Sequence, residues 1–425
     1  MKRIFVAAAL VFATPVLAQN FNGYIVKLKN NAESFSLPKS MSSVRTLNTS
    51  FGSFAVVQPA EGLEQESVEI LKSDSNVEYV EKNWIVTLDN EVSGEVVTAT
   101  DSMFTKQWGL KNTGTNSGGW FSTGKAGEDV NAEKAWEIQK GNKEVVVAVI
   151  DTGIDYRHPD LQANLWINDA EKNGEAGVDD DGNGYIDDVY GYDFANNDAD
   201  PLDGHSHGTH CAGVIGASHN GEGVMGVMSK VKLMGIKFLS DSGSGETIGA
   251  IQSIEYAIKN GANIMSNSWG GGERSEALKE AIEAARDAGI LFVAAAGNES
   301  NNNDSKPSYP ASYKVENVIT VGAMDGKGNK ANFSNYGRES VHVFAPGVNI
   351  LSTVKNGGYQ KMSGTSMATP MVSGVLGLLL SQEEGINFSD AKTRLMESTV
   401  RNSSLSTYAI DGRVDAFRML RGERN

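Results

Sequence analysis

Apolar positions along the chain follow two regimes, separated by a polar stretch. Between residues 23 and 88, Tyr24-Ile25-Val26-Lys27-Leu28 and Phe54-Ala55-Val56-Val57 have strand composition. Val77-Glu78-Tyr79-Val80-Glu81 alternates as a half-buried strand does, and Leu63 to Leu71 reads as a helix. These elements make a small α+β unit. Asp89 to Thr105 is rich in Thr, Ser, Glu and Asp, and reads as a linker that contains a domain boundary.

From Asn131 onward strands and helices alternate. Val145 to Ile150 is a continuous, mostly β-branched apolar run, as expected of a strand buried on both faces of a parallel sheet. Helical segments end in glycine at Lys259-Asn260-Gly261 and Asp287-Ala288-Gly289, each before a new apolar run, Ala262 to Met265 and Ile290 to Ala295. Val231 to Leu239, Val318 to Val321 and Val341 to Phe344 are further strands. Phe388 to Val400 reads as the last helix. The expectation is an α/β fold of three layers, a mainly parallel central sheet with helices on both faces.

Composition changes this picture in three places. Met1 to Ala18 has a basic start (Lys2, Arg3), an apolar core and small residues before Gln19, the pattern of an export leader cleaved after Ala18. No later run has the length of a membrane span, so a secreted protein, extracellular or periplasmic, is expected. Cys211 is the only cysteine, which excludes an internal disulfide and directs attention to metal ions as a source of stability. The net charge of −16 argues against a nucleic-acid partner.

Four polar residues stand at element ends. Asp151 directly follows the strand Val145 to Ile150, and ligands of open α/β sheets bind beyond the carboxyl ends of the strands. His207 opens the run His-Gly-Thr-His-Cys-Ala-Gly, whose small residues let a helix pack close to the sheet. Asn298 ends the strand-like run before it, and its amide could donate to an oxyanion. Ser366 lies at the start of an apolar helix from Met367 to Leu380, with Pro370 expected in the first turn. A nucleophile, a base, an orienter of that base and an oxyanion donor are the parts of acyl-transfer catalysis.

Asp-Thr-Gly-Ile-Asp around Asp151, His-Gly-Thr-His-Cys-Ala-Gly around His207, Ala-Ala-Gly-Asn around Asn298 and Gly-Thr-Ser-Met-Ala-Thr-Pro around Ser366 resemble the signature motifs of the subtilisin-like serine proteases. The similarity runs from about Gln107 to Ala416, with a cysteine placed as in the proteinase K branch. It implies a subtilisin-like fold and a secreted endopeptidase acting on proteins or peptides, with Ser366 as nucleophile, His207 as base, Asp151 orienting it and Asn298 as oxyanion donor. It further implies that Ser268, Trp269 and Gly270 pair with the substrate backbone, and that Ser242, Gly243, Ser244 and Gly245 form the opposite strand. Ala295, Ala296 and Gly297 would line the specificity pocket, and Tyr309-Pro310 resembles a cis-proline turn behind it. Ser206 departs from the family, many members having Gly there, and Glu299 at the pocket mouth favours basic or polar side chains.

By the same resemblance, residues 1–18 form a signal peptide, 19–100 an inhibitory propeptide and linker, and 101–425 the peptidase domain. Autocleavage falls within Asn90 to Lys106, and the product is a monomer with its own propeptide as transient partner. The non-enzyme alternative is a catalytically inactive, peptide-binding relative. A zinc site at His205, His207 and His210 would leave the motifs of Ser366 and Asn298 without a purpose.

Residues 179 to 188, Asp-Asp-Asp-Gly-Asn-Gly-Tyr-Ile-Asp-Asp, match the first half of an EF-hand-type calcium loop. Asp179, Asp181, Asn183 and Tyr185 take ligating positions. Tyr190 stands where the closing Glu belongs, so Asp187, Asp188 or a distant carboxylate must complete the shell. Resemblance alone implies a second calcium site at Asp160, Asn220 and Val224, with Val224 contributing through nearby carbonyls. One to three structural calcium ions are expected.

Overall fold

The computed structural model describes residues 20–30, 32, 34–88, 91–97, 103–117 and 124–425, so the leader lies outside the described residues. The N-terminal unit comprises β1 (Phe21–Leu28), β2 (Met41–Thr49), β3 (Gly52–Pro59), α1 (Glu64–Ser73) and β4 (Val77–Thr87). Its antiparallel strands run in the order β2-β3-β1-β4. Alternation divides its apolar residues between two faces. Val26, Leu28, Ala55 and Val57 pack with Leu71 of α1, whereas Ile25, Phe54 and Val56 join the core of the large domain. Both faces of this small sheet are therefore covered, one by its own helix and one by the rest of the chain.

The polar stretch expected to be a linker contains a strand, β5 (Val92–Val97). The large domain follows with α2 (Ala132–Ala135), β6 (Gly141–Asp151), α3 (Pro159–Gln162), α4 (Asp169–Asn173), β7 (Gly191–Asp193), α5 (His207–Gly216) and β8 (Lys230–Lys237). It continues through β9 (Ser244–Glu246), α6 (Thr247–Lys259), β10 (Ile264–Asn267), α7 (Glu276–Asp287), β11 (Leu291–Ala295), β12 (Val318–Met324) and β13 (Val343–Pro346). The hairpin β14 (Ile350–Val354) and β15 (Gly358–Ser363) leads into α8 (Thr365–Gln382), α9 (Phe388–Glu397) and α10 (Ala416–Arg421). The last helix is therefore α10, not the segment from Phe388. It is short, and Asp415 caps it by accepting from the Arg418 amide.

Seven strands form one parallel sheet in the order β13-β12-β11-β10-β6-β8-β7. Strand β6 explains the continuous apolar run. Val145, Val147 and Val149 enter the core beneath α5 and α8, while Val146, Ala148 and Ile150 enter the core beneath α6 and α7. This is the three-layer subtilisin-like α/β architecture, and it delivers the carboxyl ends of β6, β10 and β11 to one edge.

Candidate active site

Asp151 is the last residue of β6 and His207 the first of α5; both are buried. Helix α5 comes this close because Gly208 has no side chain. A Cβ there would lie 2.1 Å from the Gly153 carbonyl oxygen. Asp151 Oδ1 lies 2.6 Å from His207 Nδ1 and also accepts from the Thr152 amide at 2.7 Å. On the other side of the ring, His207 Nε2 meets Glu91 Oε1 at 2.8 Å. Burial alone would depress the imidazole pKa, but the carboxylates of Asp151 and Glu91 outweigh it and hold His207 well above its ordinary value.

Ser366 is the second residue of α8, and its Oγ donates to the Ser268 carbonyl at 3.2 Å. Pro370 lies beyond the first turn, inside the helix. It has no N–H to give the Ser366 carbonyl. That oxygen accepts instead from Ser268 Oγ at 3.0 Å and Cys211 Sγ at 3.5 Å. A serine from β10's end and the cysteine of α5 thus replace the missing helical bond. Burial pushes the Cys211 thiol far up, so it stays protonated and acts as that donor.

Asn298 is buried, and its Oδ1 accepts from the Thr365 amide at 2.9 Å and Thr365 Oγ1 at 3.0 Å. The anchoring fixes the amide so that Nδ2 faces the site with no hydrogen-bond partner. A Cβ on Gly364 would lie 3.3 Å from this Nδ2 and 3.0 Å from Glu91 Oε1, so Glu91, His207, Asn298 and the start of α8 share one small space. An orphaned buried donor beside a serine at a helix start is the arrangement an oxyanion requires.

The residues expected to contact substrate flank a segment of the chain itself. Thr87 pairs with Ser244, Val86 with Gly245 and Ile85 with Glu246, and the Leu88 amide donates to the Gly243 carbonyl at 2.8 Å. On the other side Thr87 bridges to Gly270. Val86 is buried in the apolar cluster that holds Phe238, Leu239 and Trp269. Ser242 lies at the exposed turn before this strand, its Oγ 2.8 Å from Ser240 Oγ. Ala295, Ala296 and Gly297 are buried at the end of β11, with the Ala296 carbonyl accepting from Asn303 and Asn335 at 2.8 and 3.0 Å. Glu299 accepts from Asn335 Nδ2 at 2.6 Å, and Tyr309-Pro310 is cis.

The N-terminal unit is fastened by helix starts. Glu81 accepts from Ser275 Oγ and the amides of Glu276 and Ala277 at 2.6, 2.8 and 3.2 Å, at the positive end of α7. Asn83 Oδ1 accepts from the Ile248 amide at the start of α6 at 3.1 Å. Lys27 pairs with Glu280 at 2.6 Å.

His210 is not arranged as a metal ligand. Its Nε2 lies 2.9 Å from the Ile350 carbonyl and 3.1 Å from that of Gln360, and burial lowers its pKa to about 3, so the neutral ring ties α5 to the hairpin.

In the acidic loop the structure brings Asp181 and Asp188 together with Glu171 of α4, which the sequence pattern did not single out. Asn168 and Asn183 bridge the Asp181 and Asp188 carboxylates at 2.8 to 3.0 Å. Asp179 accepts from the amides of Gly182 and Gly184, Asp187 from that of Gly177, and Glu171 from those of Asp180, Asp181 and Asp187. The Tyr185 amide donates to Asn183 Oδ1, and its ring packs on Tyr192. Three carboxylates that offer oxygens within 4.8 Å of one another, with no basic side chain among the described residues bonded to them, fit a hard divalent cation. The second group differs. Asp160 accepts from Asn220 Nδ2, the Val224 amide and Tyr359 OH, all at 2.9 Å. Val224 thus presents its N–H and Asp160 is the group's one carboxylate, a donor set suited to holding the carboxylate itself.

This three-layer fold, with Asp151, His207 and Ser366 at the ends of its elements, defines the subtilisin-like class. The chain belongs to the subtilase family: the Peptidase_S8, Subtilase family, profile matches residues 142–415. Over 301 residues it is 36% identical to thermitase of Thermoactinomyces vulgaris, covering 70% of this chain and 96% of the relative. It is 34% identical over 352 residues to a thermophilic serine proteinase of Bacillus sp. (strain AK1), covering 82% and 74%. Subtilisin DY of Bacillus licheniformis is 37% identical over 280 residues, covering 66% and 92%. The chain is a subtilisin-like serine peptidase, a peptide hydrolase.

Proposed function

We propose that this peptidase is an exported endopeptidase made as a self-processing zymogen, whose N-terminal unit is both its first substrate and its temporary inhibitor. The observation that carries this reading is the pairing of residues 85–88 together with the contact of Glu91. Ile85 to Thr87 run as a strand between β9 and Gly270, and Glu91 meets His207. A polypeptide so held is in the position of a substrate, and docking through Glu81 and Asn83 keeps it there.

His207 takes the Ser366 proton as Ser366 attacks the peptide carbonyl, and Asp151 holds the imidazole tautomer. Asn298 Nδ2 and the Ser366 backbone N–H donate to the oxyanion; His207 then gives its proton to the leaving amine as the C–N bond breaks, and water, deprotonated by the same ring, hydrolyses the acyl-enzyme as the ring returns the proton to Ser366. Glu171, Asp181 and Asp188, with Asn168 and Asn183, would hold a structural calcium ion, which supplies charge compensation to the loop. The leader pattern at Met1 to Ala18 supports export, to the medium or the periplasm, as a monomer. No helix among the described residues is long and apolar enough to cross a membrane.

The test is intact mass of the secreted protein beside that of Ser366→Ala. Wild type is expected to have lost the residues before a cut within Asn90 to Lys106, and the variant to retain them. Equal masses, together with failure of a serine-directed phosphonate to label Ser366, would leave the inactive peptide-binding alternative standing.

A further inference from the structure

The peptidase-facing side of the small sheet is not filled everywhere. β4 pairs with β9, so β2, β3, β1, β4 and β9 form one sheet that spans both parts of the chain. Between this sheet and the segment after β7 lies a cavity of about 970 Å³, the size of a site for a small organic molecule and not of a packing defect. Phe21, Val56 and Ile85 line it from the N-terminal unit, Phe194 and Phe238 line it from the peptidase domain, and Arg45 of β2 stands among them. Ile85 is 37% exposed, so part of this apolar wall is uncovered.

Arg45 is the group the fold leaves unanswered. Among the described residues its half-buried guanidinium donates no hydrogen bond and makes no ion pair. Glu246 lines the same cavity and attracts it from a distance, but both Glu246 oxygens are taken, by Asn22 Nδ2 at 2.5 Å and Asn83 Nδ2 at 2.8 Å. Burial meanwhile works against the charge of Arg45. A partly desolvated cation with five N–H donors and no acceptor is costly unless an anion meets it.

We propose that this cavity binds an anionic amphiphile, a carboxylate on an aliphatic chain of the fatty-acid type, with its head on Arg45 and its body against Phe21, Ile85 and Phe194. The guanidinium fork donates to both oxygens of a carboxylate, and the apolar walls take the chain out of water. Because the ligand touches both parts of the molecule, it binds only while they are together and opposes release of the N-terminal unit. The site stands on the cavity and on Arg45; only its effect on release rests on the proposed self-processing.

The probe is dodecanoate, kept below its micelle concentration and titrated calorimetrically into the full-length Ser366→Ala protein. One saturable site is expected. Arg45→Gln should weaken it at least about tenfold, the loss of one charge-assisted pair, and dodecanol should bind the unchanged protein as weakly. Ile85→Glu, at an exposed position on a different strand, should weaken it to a similar degree by setting a carboxylate against the chain. Processed enzyme, which lacks Arg45 and Ile85, should not bind. Absence of a saturable site, dodecanol binding as well as dodecanoate, unchanged affinity in either variant, or equal binding by processed enzyme overturns the site. If wild type never processes itself, the zymogen reading falls, while the titrations of the Ser366→Ala protein still decide this inference.

Discussion

Glu91 Oε1 lies 2.8 Å from His207 Nε2 while Asp151 Oδ1 lies 2.6 Å from Nδ1, so in the full-length chain the imidazole is clamped between two carboxylates. The clamp raises the imidazole pKa against the opposing effect of burial. The sign follows from linkage: a raised pKa means the contact stabilises the closed chain at low pH and is lost as pH rises through the folded value. A protonated His207 cannot accept the Ser366 proton, so self-cleavage is expected to begin at higher pH than cleavage of added peptide by the processed enzyme. Glu91→Gln should shift the pH profile of self-cleavage towards acid and leave that of the processed enzyme in place. Rates of the two reactions across pH, in wild type and variant, check this; coincident wild-type profiles would remove Glu91 from the account.

Asn298→Ala removes the orphaned Nδ2 and the Oδ1 that holds Thr365. On the proposed mechanism kcat falls about 10²- to 10³-fold with little change in KM, because the lost bond exists only in the transition state. Steady-state kinetics with a peptide amide decides it. A change confined to KM would make Asn298 a substrate contact and not an oxyanion donor.

How far the fold was legible depended on where each element finds its partners. Strand β6 was plain because each of its faces has its own core, Val147 and Val149 on one and Val146, Ala148 and Ile150 on the other. Asp151, His207, Asn298 and Ser366 were visible because each sits in a short motif that encodes its own strand end or helix start. β5 was missed because a polar sequence became a strand only by pairing with β15, more than 250 positions away. Its one local signal was the valines among the acidic and hydroxyl residues. Glu171 escaped notice for a similar reason: it approaches Asp181 and Asp188 from a separate helix. Pro370 sits deeper in α8 than its local sequence implies, because the donors that satisfy the Ser366 carbonyl, Ser268 and Cys211, are remote in sequence.

Ser206, the residue before His207, has φ 107° and ψ −16°, a region that favours glycine. Its side chain gives α5 no capping hydrogen bond that a replacement would lose. Such a backbone costs about 1–3 kcal/mol for a residue with a Cβ. Ser206→Gly, made in a Ser366→Ala background to prevent self-digestion, should therefore raise Tm by about 2–4 °C per kcal/mol relieved. Differential scanning calorimetry provides the comparison, and an unchanged or lower Tm would show that the strain is absorbed elsewhere.

Burial pushes the Asp188 carboxyl up to about 6, although bonds from Tyr256 and Asn183 favour its ionised form. Because the folded value exceeds the ordinary one, the ion-free loop is favoured at low pH, and that advantage is lost as pH rises through about 6. A calcium ion held by Glu171, Asp181 and Asp188 would offset the cost of ionising Asp188 and compete with its proton. At calcium 100-fold above its Kd the stabilisation is about 2.7 kcal/mol, or about 5–10 °C in Tm. That gain is expected at pH 8 and should shrink as pH falls below about 6, while Glu171→Gln should remove most of it at either pH. Thermal unfolding of the Ser366→Ala protein with calcium or chelator, at both pH values, separates the cases. A gain independent of pH and of Glu171 would place the stabilising ion away from this loop.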